Sequence, residues 1–108
     1  MAMHMIGTWE IVSSSDFDDE YLNMEGTPYV RLHQDGDRVV GEYHPGVQSG
    51  GLDGRPQPDG SLLFSFEGMD ETDEVHGAGT ATVKDDRLVF MLMYHQGDDY
   101  TFAATRRS

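Results

Sequence analysis

The side chains whose type and spacing could do chemistry in this chain are acids and one histidine. Asp70, Glu71, Asp73 and Glu74 crowd four carboxylates into five positions, and His95 stands shortly before Asp98 and Asp99. Carboxylates that close can share protons, draw in cations or work as an acid and base pair. A histidine beside a carboxylate can act as a base with an orienting partner. No Ser, Cys or Lys nucleophile stands out beside His95, so a loop histidine satisfied by its neighbours is the plainer expectation. The acids also miss the calcium-loop pattern, which needs acids at alternate positions, a Gly at the sixth and a Glu at the twelfth. No dedicated metal site is expected, and the residues leave the question of a cofactor open. The chain lacks cysteine, which removes disulfides, thiolate metal sites and thiol nucleophiles.

Twenty acids against seven bases give the 108 residues a formal net charge of −13. Such a charge repels nucleic-acid phosphates and anionic lipid surfaces, so neither nucleic acid nor membrane is expected as a partner, while cations and basic partners are favoured. Met1 to Gly7 has neither the basic residue nor the apolar length of a signal peptide, and the longest apolar run, Leu88 to Tyr94, is too short to cross a bilayer. A cytoplasmic protein of one domain, residues 1–108, is the expectation.

Short runs of Val, Phe, Tyr, Leu and Thr recur between Gly, Asp and Pro clusters, and no stretch keeps a helical period for three turns. The rhythm predicts strands over Ile6–Ser13, Pro28–His33, Arg38–His44, Val47–Leu52, Ser61–Glu67, Val75–Val83, Leu88–His95 and Tyr100–Arg106. Asp35-Gly36 carries a two-residue hairpin signal, and only Asp16 to Met24 could be briefly helical. The predicted fold is all-β, a small eight-stranded up-and-down antiparallel barrel. Alternation places Gly7, Trp9 and Ile11 inside, with Leu62, Phe64 and Phe66, and with Phe102, Ala104 and Arg106. Val75, Gly77, Gly79 and Ala81 also share a face, and residues that small either leave interior space or bend the strand. An eight-stranded barrel holds packed side chains or one small ligand, and both outcomes fit this pattern.

Gly7-Thr8-Trp9 opening the first strand, with Arg106 near the end of the last, resembles the Gly-x-Trp and terminal-Arg signature of calycins, the superfamily of lipocalins, fatty-acid-binding proteins and avidins. The resemblance implies an Arg lying against the Trp to close one end, a cation over an indole face. The stretch Phe66 to Gly79, with His95-Gln96-Gly97-Asp98-Asp99 before Phe102, is similar to a family of uncharacterised short bacterial proteins. That similarity implies a fold and no activity. Members tend to carry Arg where this chain has Ala78 and an aromatic near Thr80, so no role is carried to those positions.

In an up-and-down barrel the connections after the first, third, fifth and seventh strands lie at one end. The predicted boundaries put Asp16, Asp18, Asp19, Glu20, Glu25, Glu67, Asp70, Glu71, Asp73, Glu74, Asp98 and Asp99 there, with no Lys or Arg, while the opposite end is mixed. Three function classes follow. The first and preferred is a lipocalin-like binding module that holds a small apolar or cationic molecule among Trp9, Phe64, Phe66, Phe90, Tyr94 and Arg106, behind an acidic mouth of Asp70, Glu71, Asp73, Glu74, His95, Asp98 and Asp99. The second is an enzyme using mouth carboxylates and His95 for proton transfer. The third is an acidic interaction protein covering a basic partner surface. The seventh strand is apolar on both faces, which predicts a homodimer contact through Val89, Met91 and Met93.

Overall fold

The computed structural model describes residues 3–107. A short 3-10 helix over Met3–Met5 leads into strands β1 (Gly7–Ser14), β2 (Tyr29–Asp35), β3 (Arg38–His44), β4 (Gln48–Pro56), β5 (Leu62–Asp70), β6 (Asp73–Lys84), β7 (Arg87–Tyr94) and β8 (Asp99–Arg106), with one helical turn, α1 (Asp19–Leu22), after β1. Each strand pairs antiparallel with the next and β8 returns to β1, so the sheet closes into an eight-stranded up-and-down barrel. Closure satisfies the edges that an open sheet would leave unpaired.

The ladders run further than the sequence suggests in three places. β5 and β6 continue to the Asp70–Asp73 pair, leaving Glu71 and Thr72 as the turn. Asp73 and Glu74 are therefore strand residues, and Glu67, paired with His76 on the outer face, does not belong to the end loops. β4 runs on to Pro56. The β2–β3 turn is Gly36-Asp37, closed by the Asp35–Arg38 pair, because Gly36 supplies the positive φ of 63°. In β1 the pairing shifts between Ile11 and Ser13, so Val12 is an extra residue pushed to the surface.

Alternation sorts the faces as expected except at Arg106, expected inside with Phe102 and Ala104 but exposed, because β8 ends there and the guanidinium lies over the rim against Trp9. Trp9, Ile11, Leu62, Phe64, Phe66, Ala81, Leu88, Phe90, Leu92, Phe102 and Ala104 are all buried in one core with Val30, Leu32, Tyr43 and Leu52. The small residues of β6 do not open a space. A Cβ on Gly79 would stand 2.4 Å from Cζ of Phe64, so the glycine lets that ring lie flat on the sheet. Phe64 then stacks on Phe90 at 5.2 Å between centroids. The buried rings of Phe66, Tyr43 and Phe102 lie around this pair at 6.5, 6.0 and 6.5 Å.

One end is closed by Trp9. Its indole Nε1 donates to the Met5 carbonyl at 2.8 Å. The Arg106 guanidinium lies over the ring at 4.3 Å and donates to the Ile6 carbonyl at 2.8 Å and to the His4 carbonyl.

Candidate functional site

The opposite end carries a different set of groups. The longest connection, between β1 and β2, crosses this mouth and is fastened at several points. Asp18 caps α1 by accepting from the Tyr21 amide at 2.9 Å, and Asp16 accepts from the Thr101 amide at 2.7 Å. Leu22 is buried, and its carbonyl accepts from Gly46 in the β3–β4 turn at 3.2 Å. Phe17 lies against Tyr21 at 4.3 Å, Tyr100 at 4.9 Å and Phe102 at 5.9 Å. The segment is a cap whose rings rest on the top of the core.

Beneath the cap is a polar cluster. Gln48 is fully buried, donates through Nε2 to the Tyr21 hydroxyl at 3.1 Å and accepts at Oε1 from the Tyr94 hydroxyl. Tyr94 also lies 3.4 Å from Oδ2 of the half-buried Asp70. Tyr43 is 1% exposed, and its hydroxyl has no hydrogen-bond partner. A Cβ on Gly50 would fall 2.5 Å from that hydroxyl, so the glycine on β4 makes room for it. Burial pushes the phenols of Tyr43 and Tyr94 far above the ordinary tyrosine range, and the nearby Asp70 carboxylate pushes them the same way. Tyr21 and Tyr100 are raised by burial too, with Asp70 contributing. Four phenols therefore share a neighbourhood with the Asp70 side chain, and their hydroxyls stay protonated.

An orphaned buried hydroxyl costs about 1–3 kcal/mol in a folded protein. Here it lies against Gly50 of β4, with its ring on Phe66 and Phe90 and with the Asp70 carboxyl near enough to raise its pKa. The cluster can accept and donate hydrogen bonds to a molecule entering from the mouth.

The predicted site residues divide by position. Phe90, Phe64, Phe66 and Tyr94 form a continuous column from core to mouth, with centroids at 5.2, 6.5 and 5.7 Å in turn. Trp9 and Arg106 are at the far end and occupied with each other. At the mouth, Asp70 points into the phenol cluster, whereas Glu71, Asp73, Glu74, Asp98 and Asp99 are exposed. His95 does not form an ion pair with an acid among the described residues; its ring stacks on that of His76 at 4.9 Å on the outside of the barrel. Tyr43 and Gln48 were absent from the predicted site. Tyr43 shares the inward face of β3 with Val39, but β3 as a sequence shows no signal beyond alternation. Gln48 is the first residue of β4, where a buried amide follows from the phenols around it. A groove of about 590 Å3 also lies on the outer wall over Gly41, Gly51, Ser65, Glu67 and His76.

The closed eight-stranded up-and-down barrel recurs among solved structures. The fold is similar to that of apo Caenorhabditis elegans lipid binding protein 8, with a TM-score of 0.57, 14% identity and 99% of this chain covering 98% of that one. It is similar too to the fatty acid transporter REP1-NXSQ, with a TM-score of 0.53, 18% identity and 96% of each chain covered. No protein-family model matches the sequence, and no curated protein matches it.

Proposed function

We propose that this chain is a small-molecule-binding barrel whose ligand enters at the cap and lodges its polar end on Tyr43, Gln48, Tyr94 and Asp70. The observation that carries this reading is the unpartnered hydroxyl of Tyr43, a tyrosine almost wholly buried against Phe66 and Phe90. The fold likeness to proteins named for lipid binding and fatty acid transport supports an apolar ligand body. Because the column from Phe90 to Tyr94 is already stacked, the ligand's apolar part replaces Phe17 against Phe102 and Tyr100 when the cap lifts. Trp9 and Arg106 close the base and do not touch the ligand. Titration of the labelled protein with octan-1-ol, followed by amide chemical shifts, tests the reading. Shifts centred on Tyr43, Gln48, Tyr94 and the cap support it; shifts confined to the outer groove, or none, contradict it. The proton-transfer reading lacks a carboxylate partner for His95, and no observation favours the basic-partner reading.

We also propose that the outer faces of β5 to β8 meet a second copy of the chain. Leu63, Thr80, Val89, Met91, Met93 and Ala103 make this face uncharged, with Lys84 and Arg87 at its lower end and Glu67, Glu74 and Asp99 at its upper. A two-fold axis lying across the strands sets each copy's bases against the other's acids. Sedimentation velocity checks this: a dimer weakened by the paired change Lys84→Glu and Arg87→Glu agrees, and a monomer at high micromolar concentration contradicts it.

A further inference from the structure

Resting on the mouth as the binding site, we infer that the polar end of the ligand is an organic cation, an alkylammonium rather than a carboxylate. Three features of the site point that way. First, the site holds an acceptor that lacks a full donor. Asp70 contributes a carboxylate whose closest donor is the Tyr94 hydroxyl at 3.4 Å, and that proton already goes to Gln48 Oε1. The Tyr43 hydroxyl is unpartnered too, and its lone pairs are open to a donor. An ammonium group brings N–H donors to these oxygens, whereas a carboxylate would bring more acceptors and face Asp70. Second, no base is at hand for an anion. The connections at this end contain no Lys or Arg. His44 is turned toward Glu25 at 3.6 Å, and Arg106 is at the other end of the barrel on Trp9. Third, the walls are aromatic. Tyr94 and Tyr100 meet edge to face at 5.2 Å, and Phe66 lies beside Tyr94 at 5.7 Å. Ring faces attract a desolvated cation and offer nothing to an anion. The exposed acids around the mouth raise the local concentration of cations in the same sense.

The test is a matched series of octylamine, octan-1-ol and octanoate, titrated at one ionic strength into the intact protein, the Asp70→Asn variant and, as a charge control, Asp37→Asn in the β2–β3 turn at the other end. The inference expects octylamine to bind about tenfold more tightly than octanol, with octanoate weakest. Asp70→Asn is expected to erase the preference for amine over alcohol while octanol still binds, and Asp37→Asn to leave the preference intact. In the unaltered protein, the Asp70 carboxyl carbon resonance is expected to move with octylamine and not with octanol, a readout that does not depend on any variant folding. Octanoate binding as tightly as octylamine overturns the inference and leaves the binding site standing. A preference that survives Asp70→Asn overturns it as well, assigning the effect to bulk charge. Failure of all three compounds to bind overturns the binding reading and this inference with it.

Discussion

At the scale of single residues, the two ends of the barrel use aromatic side chains in opposite ways. Trp9 is 1% exposed, with its N–H satisfied and a guanidinium over its face, so its role is packing. Trp9→Ala is expected to cost about 3–5 kcal/mol, read as a lowered denaturation midpoint in urea; an unchanged midpoint would contradict the packing. The mouth phenols respond instead to alkali. Tyr21, Tyr43, Tyr94 and Tyr100 hold their protons more tightly folded than unfolded. The stability this confers is fully present below the ordinary tyrosine pKa of about 10 and is lost as pH rises above it. Absorbance titration is therefore expected to show these phenols ionising late and together with unfolding. Early, independent ionisation of all five tyrosines would contradict their burial. Gly-x-Trp and the terminal Arg made the closed end legible in the sequence. Tyr43 and Gln48 were not, because a single inward tyrosine looks like core, and its missing partner is a matter of three-dimensional surroundings.

At the scale of elements, alternation made the strands legible, although β1 breaks the two-residue period at Val12. Hairpin ends were harder. The acidic run after Phe66 looks like a loop by composition, yet the ladder holds Asp70 opposite Asp73 because Glu71, with φ of 57°, turns the chain in two residues. That difference moves Asp70 from a solvated loop to the strand end facing Tyr94. The glycines of β6 were legible as small and not as occupied, since the ring that fills the space above Gly79 comes from β5. The cap depends on another glycine. Gly46 has φ of 63°, and a Cβ there would stand 2.4 Å from the Tyr21 ring. Gly46→Ala is expected to cost roughly 1–3 kcal/mol and to dislodge the cap. Faster hydrogen exchange at Leu22 and Asn23, with β-strand amides unchanged, is the expected pattern; unchanged exchange in the cap would show that Tyr21 is held by other contacts.

At the scale of the whole molecule, a net charge of −13 on a barrel with a Cα radius of gyration of 12.7 Å makes self-repulsion a general term in stability. Among the described residues, two Arg–carboxylate pairs, Arg31–Glu42 and Arg38–Asp53, offset a small part of it, and both lie on half-exposed side chains. Sodium chloride is accordingly expected to raise the melting temperature through screening; a fall would mean that these pairs outweigh the repulsion. The charge also frames the binding reading, since the mouth combines a general negative field with one inward carboxylate and one unsatisfied phenol. Tyr43→Phe tests that combination most directly, because it removes the hydroxyl and keeps the ring. The account predicts that the variant melts at the same or a higher temperature, having lost a buried group without a partner, while its affinity for octylamine falls several-fold. A variant that is destabilised, or that binds octylamine as the unaltered protein does, would contradict it.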